Sequence, residues 1–321
     1  MSDSAPAASV VVPSLPGDPS AVICMEALEA QTVRSRLQLV LSLDGQGASP
    51  AERLADLVVR APHAGPAAAR NRGWRAASGP IILFTDADCV PDPDWAEKML
   101  EALAKGADAA KGVYSRGGGA PVQRLAQVEF EERYAMLSRG DSIDMVDTYS
   151  AGFRRDALED VDGFDEDFPV PDHEDVDLSY RLAEAGFRMV FAPGARVAHT
   201  HPCRWSDYAR VKLSRGRWRV RVLRRFPSRA VGDGYTPLMM RVQIVLGALL
   251  PAALAAAVPA PRLAAAYLAA WIATSIPLAL HAARTDPAVA PLVPFLAAVR
   301  GTALAAGLVV GVIRETACSR R

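Results

Sequence analysis

The sequence predicts an α/β fold, a Rossmann-like sheet followed by hydrophobic helices at the C-terminal end. Three observations carry this expectation. Apolar, β-branched runs alternate with helical patterns from Ala8 onward. Ile81-Ile82-Leu83-Phe84, bounded by Gly79-Pro80, is a continuous apolar run of the kind needed by a strand buried on both faces. Long apolar segments occupy the chain beyond Leu238.

With 321 residues and 34.2 kDa, the chain is long enough for one large domain and an appendage. A formal net charge of +0 gives no global attraction to nucleic acid, but the sum hides an asymmetry. Acidic residues concentrate between Glu97 and Glu184, basic ones between Arg204 and Arg229. Cys24, Cys89, Cys203 and Cys318 lack C-x-x-C spacing, which suggests neither a zinc site nor a disulfide framework and fits a reducing compartment. Met1 to Ser9 has no basic start and no long apolar core, so no signal peptide is expected there.

In order, Ala8 to Pro13 reads as a first strand stopped by proline, and Pro19 to Gln31 as a helix. Leu37 to Leu43 is a second strand, ending in Asp44-Gly45. Strand, helix, strand begins a nucleotide-binding half-sheet, and Asp44 stands where a carboxylate can meet a base or ribose. A turn residue ahead of Gly45 explains Asp44 equally well. Leu57 to Arg60 is a short third strand; from Pro66 to Ser78 the alanines and an N-terminal proline predict a helix ended by Gly79. Its free N–H groups, with Arg70, favour a nearby anionic diphosphate, although Arg70, Arg72 and Arg75 also fit a solvated face.

The strand Ile81–Phe84 leads into Thr85-Asp86-Ala87-Asp88-Cys89. Open α/β sheets bind ligands beyond the carboxyl ends of their strands, and two carboxylates there suit a divalent ion such as Mg²⁺ or Mn²⁺. Turn-capping aspartates are the plainer alternative. Asp94 to Ala104 reads as a helix, Ala107 to Val113 as a strand and Gln123 to Leu137 as an amphipathic helix. Glu174 starts another helix with carboxylates crowding its first turn, where Glu174 or Asp175 could face the crevice or simply serve the helix dipole. Asp177 and Arg181 read as a surface pair. Arg188–Ala192 and Ala195–Ala198 are short strands, followed by His199-Thr200-His201.

In this order the motifs resemble family 2 glycosyltransferases of GT-A fold, with their Rossmann-like mixed sheet. The likeness covers about residues 8–225 and rests on VVVP, LSLDGQG, GPAAARNRGWRAASG, FTDADC, YSAGFRRDALEDVDGFDEDF and HEDVDLSYRL. It implies a nucleotide-diphospho-sugar donor whose diphosphate is held by Mg²⁺ or Mn²⁺ on the D-x-D pair. Asp88 is then the direct metal ligand and Asp86 lies toward ribose or metal. His199, or as second choice His201, completes the metal site. Pro13, Asp44, Arg70 and Asn71 fall among the donor contacts. Asp175, beside Glu174, matches the catalytic base of an inverting transfer. Two departures stand out. Leu43 precedes Asp44 where paired acids are usual, and Ser214-Arg215-Gly216-Arg217-Trp218 lacks the glutamine of the processive Q-x-x-R-W box. The second departure argues for single-sugar addition.

From Arg204 to Arg229 there are ten basic residues and one acid, Asp207, interleaved with aromatics. RNA binding is one explanation for such a stretch. The apolar segments Leu238–Val258 and Leu263–Ala283 favour a membrane instead, each near the ~20 residues a span requires. Leu292–Ile313 is a third candidate, interrupted by Arg300; it either crosses, which puts Arg314, Arg320 and Arg321 outside against the positive-inside tendency, or leaves Arg300 at an interface or facing protein. The expected organisation is a catalytic domain (1–203), a basic juxtamembrane linker (204–236) and membrane-associated helices (237–321). The catalytic domain then faces the cytoplasm from the inner membrane, acting on a lipid-linked or cell-envelope glycan in contact with membrane lipid, without nucleic acid. A sugar-phosphate nucleotidyltransferase and a non-catalytic membrane-associated binding protein are the competing functions.

Overall fold

The valine and leucine runs form the centre of one mixed eight-stranded sheet in a computed structural model that describes residues 5–318. Its elements follow in chain order. First come β1 (Ala8–Ser14), α1 (Ser20–Glu29), β2 (Leu37–Asp44), β3 (Leu57–Ala61), α2 (Pro66–Ala76), β4 (Ile81–Thr85) and β5 (Cys89–Pro91). Then come α3 (Trp95–Leu103), β6 (Ala109–Arg116), α4 (Pro121–Leu137), β7 (Ser150–Arg154), α5 (Arg155–Asp160), α6 (Glu174–Glu184) and β8 (Met189–His199). The chain ends in α7 (Trp205–Arg225), α8 (Leu238–Ala255), α9 (Pro261–Thr285) and α10 (Val293–Cys318).

The strand order is β3-β2-β1-β4-β7-β6-β8-β5. β3, β2, β1 and β4 run parallel, the arrangement of a nucleotide-binding half-sheet. β7 then pairs antiparallel with both β4 and β6, and β5 antiparallel with β8. The two short strands expected between Arg188 and Ala198 are one strand, β8. It continues through Pro193 because its register with β6 shifts at an irregularity between Lys111 and Val113. Val11, Val40, Phe84 and Phe153 pack with Trp74, Phe164, Leu178 and Leu182 in the core of this unit.

α2 lies close on the sheet because Gly73 has no side chain: a Cβ there would stand 2.3 Å from Val11 Cγ1. Ser42 of β2 fastens the same helix by donating to the Ala69 carbonyl at 2.7 Å. Gly65 opens α2 with φ 101°, a conformation glycine adopts without strain, and its missing Cβ leaves room for the Pro169 carbonyl. One pairing differs from expectation. Arg181 does bond Asp177 at 2.8 Å, but Asp177 is 1% exposed, and Arg181 also donates to the Val161 and Gly163 carbonyls. The pair therefore anchors the loop before α6; it is not a surface feature.

The chain divides into two units, residues 1–116 with 137–200, and 117–136 with 201–321. Most of α4, inside the 1–203 span expected for the catalytic domain, thus belongs with the C-terminal helices. Its apolar face explains this: Val122, Leu125, Ala126 and Val128 share a core with Tyr208, Leu278, Val293 and Leu296.

In that second unit α7 and α10 meet closely at Gly216 and Gly307. α8, α9 and the segment Ala290–Ala317, which includes most of α10, are long and apolar enough to cross a membrane. Their burial differs: 17% of the apolar window is buried in α8 and in α9, against 44% in the third, so α10 is the inner helix. Arg300 of α10 faces protein. It is 2% exposed and bonds Glu129 Oε1 and Gln243 Oε1, each at 2.6 Å, while Lys212 takes Glu129 Oε2 at 2.8 Å. Burial opposes the Glu129 charge, but these cations outweigh it and hold the carboxyl far below the usual range.

Candidate active site

β4 delivers the D-x-D pair. Thr85, its last residue, donates to the Tyr149 carbonyl at 2.9 Å, and the chain then leaves the sheet through Asp86, Ala87 and Asp88 before Cys89 begins β5. Cys89 lies directly opposite His199 of β8 in the antiparallel register. Asp88 Oδ1 is consequently 3.6 Å from His199 Nδ1. Burial works against charge on either group, but each is overruled by the other: Asp88 is held below the ordinary carboxylate range and His199 above that of free imidazole. A solvent-open carboxylate oxygen and an imidazole nitrogen at this separation suit Mg²⁺ or Mn²⁺. Asp88, Cys89 and His199 offer donor atoms within 4.8 Å of one another. His201 is placed otherwise: it belongs to the second unit, stacks on Phe130 and meets Gln127 at 3.1 Å.

α2 and α6 complete the site through Arg70. Its side chain, on the buried face of α2 and 3% exposed, donates to Asp86 Oδ1 at 2.8 Å and to Glu174 Oε1 at 2.7 Å. One guanidinium thereby joins the D-x-D loop to the first turn of α6. His173 caps that turn at φ 71°, in the left-handed region a non-glycine residue rarely occupies, with its Nδ1 2.8 Å from Asp172. Burial pushes the Asp175 carboxyl up to about 7, reinforced by the charges of Glu174 and Asp147. Glu174 is raised by burial as well, against the pull of Arg70.

Two expected donor contacts have structural work to do. Asn71 is 1% exposed, and its amide group makes four bonds within the protein. It donates to the Phe164 carbonyl and to Glu166, and accepts from Phe164 N–H and Trp74 Nε1. That saturates the amide within the protein. Asp44, at the end of β2, accepts from the Ala64 and Gly65 N–H groups at 2.9 Å, from Arg72 at 2.8 Å and meets His63 at 2.8 Å. It therefore shapes the turn into α2. Pro13 lies near the end of the neighbouring strand β1, in register with Ser42.

Of the segment that ties these pieces together, residues 145–149, the sequence singled out only Tyr149, at the start of YSAGF. Ser179 of α6 accepts from Val146 N–H at 2.9 Å and donates to the Asp175 carbonyl at 2.7 Å. Lys111 of β6, fully buried, pairs with Asp147 and donates to Tyr149 Oη at 3.1 Å. The Tyr149 ring stacks on Tyr114 at 3.6 Å between centroids, and Tyr114 stacks on His199 at 4.9 Å. A lone lysine in the buried run Ala109-Ala110-Lys111-Gly112-Val113 was the visible signal of this arrangement.

A parallel half-sheet continued by antiparallel strands is the GT-A architecture, and acidic groups gather beyond its strand ends. Residues 9–162, just under half of the chain, match the family described as Glycosyl transferase family 2. The pre-mycofactocin glycosyltransferase of Mycobacterium tuberculosis is 30% identical over 167 residues, covering 50% of this chain but only 35% of that protein. The glycosyltransferase AglE of Haloferax volcanii is 24% identical over 223 residues, 64% of this chain and 69% of that one. Among solved structures, the mannosyltransferase PcManGT from Pyrobaculum calidifontis, in complex with GDP-Man and Mn²⁺, shares the fold. Its TM-score is 0.61 at 21% identity, over 98% of this chain and 89% of that chain.

Proposed function

We propose that the chain is an inverting glycosyltransferase that moves one sugar from a nucleotide-diphospho-sugar to a hydroxyl of a lipid-linked or envelope glycan. The observation that carries this reading is the Arg70 bridge, which brings the D-x-D loop and the Glu174-Asp175 pair to one place. Asp88 and His199 would hold Mg²⁺ or Mn²⁺, with Asp86 alongside; when bound, the ion supplies charge neutralisation at the leaving diphosphate.

Asp175 acts as general base. It takes the acceptor proton as the hydroxyl oxygen bonds the anomeric carbon, while the bond to the diphosphate oxygen breaks and its electron pair leaves with the nucleotide. A carboxyl pushed up to about 7 is matched to that task near neutrality. Arg70 holds Asp86 and Glu174 in register and adds positive potential beside the departing phosphates. Asp44 supports donor binding by fixing the turn into α2, and Pro13 lines the same strand-end crevice. The exposed apolar surface of α8 and α9 supports a membrane-borne acceptor, with the catalytic unit on the cytoplasmic side.

The test is a screen of nucleotide-diphospho-sugars for Mn²⁺-dependent release of nucleoside diphosphate, with membrane lipid extract as acceptor. Asp175→Asn is expected to lower turnover by about 10²–10⁴-fold while donor affinity stays within a few-fold. Unchanged turnover in that variant removes Asp175 from the role.

A further inference from the structure

The cysteine beside the D-x-D pair is chemically out of place in a site for Mg²⁺ or Mn²⁺. Those ions favour oxygen and tolerate imidazole, whereas thiolate sulfur selects softer cations. The cross-strand pairing of Cys89 with His199 nevertheless puts both residues at one point on the sheet edge. The Cys89 Sγ lies 3.8 Å from Asp88 Oδ1, and one oxygen, one nitrogen and one sulfur donor fall within 4.8 Å of one another. Three such protein ligands with a remaining open position are the donor count of a tetrahedral zinc centre. Asp88, whose side chain is 59% exposed, leaves the approach open to solvent.

We propose that Asp88, Cys89 and His199 form a second binding mode of this site, a three-ligand seat for Zn²⁺ or a cation of its class such as Cd²⁺. It rests on the glycosyltransferase reading only in using Asp88 and His199 as metal ligands; the sulfur donor is additional to it. On binding, the S–H bond breaks, the proton passes to solvent and the sulfur–metal bond forms with no change of oxidation state. Two anionic ligands and a neutral imidazole then cancel the charge of a divalent ion. A cation so seated competes with Mn²⁺ and presents less positive charge to a diphosphate, so the site doubles as a point of inhibition by zinc-class metals.

The experiment uses the full chain in detergent with Cys203 and Cys318 changed to serine, titrated with Cd²⁺ alone. A near-ultraviolet thiolate-to-cadmium band is expected to saturate at one equivalent and to vanish in C89S and in C89A, with unchanged thermal unfolding as the check on folding. Zn²⁺ should displace Mn²⁺, followed by electron paramagnetic resonance, at concentrations at least about tenfold lower in the parent than in C89S. A missing band, a band that survives C89S, or equal displacement from both proteins overturns the proposal. A Cys89-dependent band in a protein that binds no Mn²⁺ overturns the Mg²⁺ or Mn²⁺ assignment alone; Mn²⁺ binding with no band overturns this one alone.

Discussion

Asp175 illustrates how a single side chain trades stability for use. Its carboxyl is raised in the fold, to about 7, by burial and by the Glu174 and Asp147 charges. Ionising it therefore costs more in the folded protein than in the unfolded chain. Its stabilising contribution is complete at acid pH, below its unfolded value, and disappears as pH rises through about 7. As the proposed base, Asp175 is competent over the opposite range. Turnover should rise with pH through the neutral region, and Asp175→Asn should raise the melting temperature at pH 8 but not at pH 4; calorimetry at both values checks this. Lys111 belongs to the same argument. Its ammonium group neutralises Asp147, which otherwise adds to the field on Asp175. Lys111→Met should cost about 3–5 kcal/mol of stability, because it leaves a buried carboxylate unpaired. It should also move the midpoint of the pH–turnover profile upward, read from denaturant melts and rate profiles side by side.

At the scale of elements, the first strands, the alanine-rich helix α2 and the D-x-D strand were legible because each has a local cause. β-branched runs, an alanine-rich segment opened by proline and a glycine-proline stop act within a few residues of where they appear. Arg70 stood out in the sequence as a candidate anion-binding arginine. Its pairing with Glu174 did not, since 104 residues separate the two and only the packing of α2 and α6 brings them together. The bonds of Asn71 were hidden for a related reason: an exposed amide and a saturated buried one look alike until Phe164 and Trp74 are in place. β8 was divided in two because Pro193 and Gly194 read as a break, whereas a strand irregularity absorbs them. Gly73 shows how tightly the helix is set. Gly73→Ala should destabilise by about 1–3 kcal/mol through its clash with Val11, and should lower turnover more than donor binding by shifting Arg70 along the helix. Urea melts paired with steady-state kinetics would separate the two effects.

For the whole molecule, the C-terminal apolar segments were readable from composition, but the partition of α4 was not. A helix rich in glutamate between two strands reads as a catalytic-domain element until the bundle core around Val122 and Leu125 is known. Glu129 gives that partition an energetic meaning, as it is the carboxylate shared by Lys212 and Arg300. Glu129→Gln should leave both cations undercompensated and cost the helical unit about 3–5 kcal/mol. Loss of α10 amide protection in hydrogen exchange, with β1 and β4 protection retained, would report that outcome.

The contact between Gly65 and Pro169 bears on kinetics. The start of α2 and the loop preceding α6 touch where even a methyl group has no room, so α2 cannot advance on that loop without moving it. On the proposed function, a shift of one segment on donor binding is expected to be felt by the other, so steady-state kinetics should show donor and acceptor affinities coupled, and Gly65→Ala should alter both.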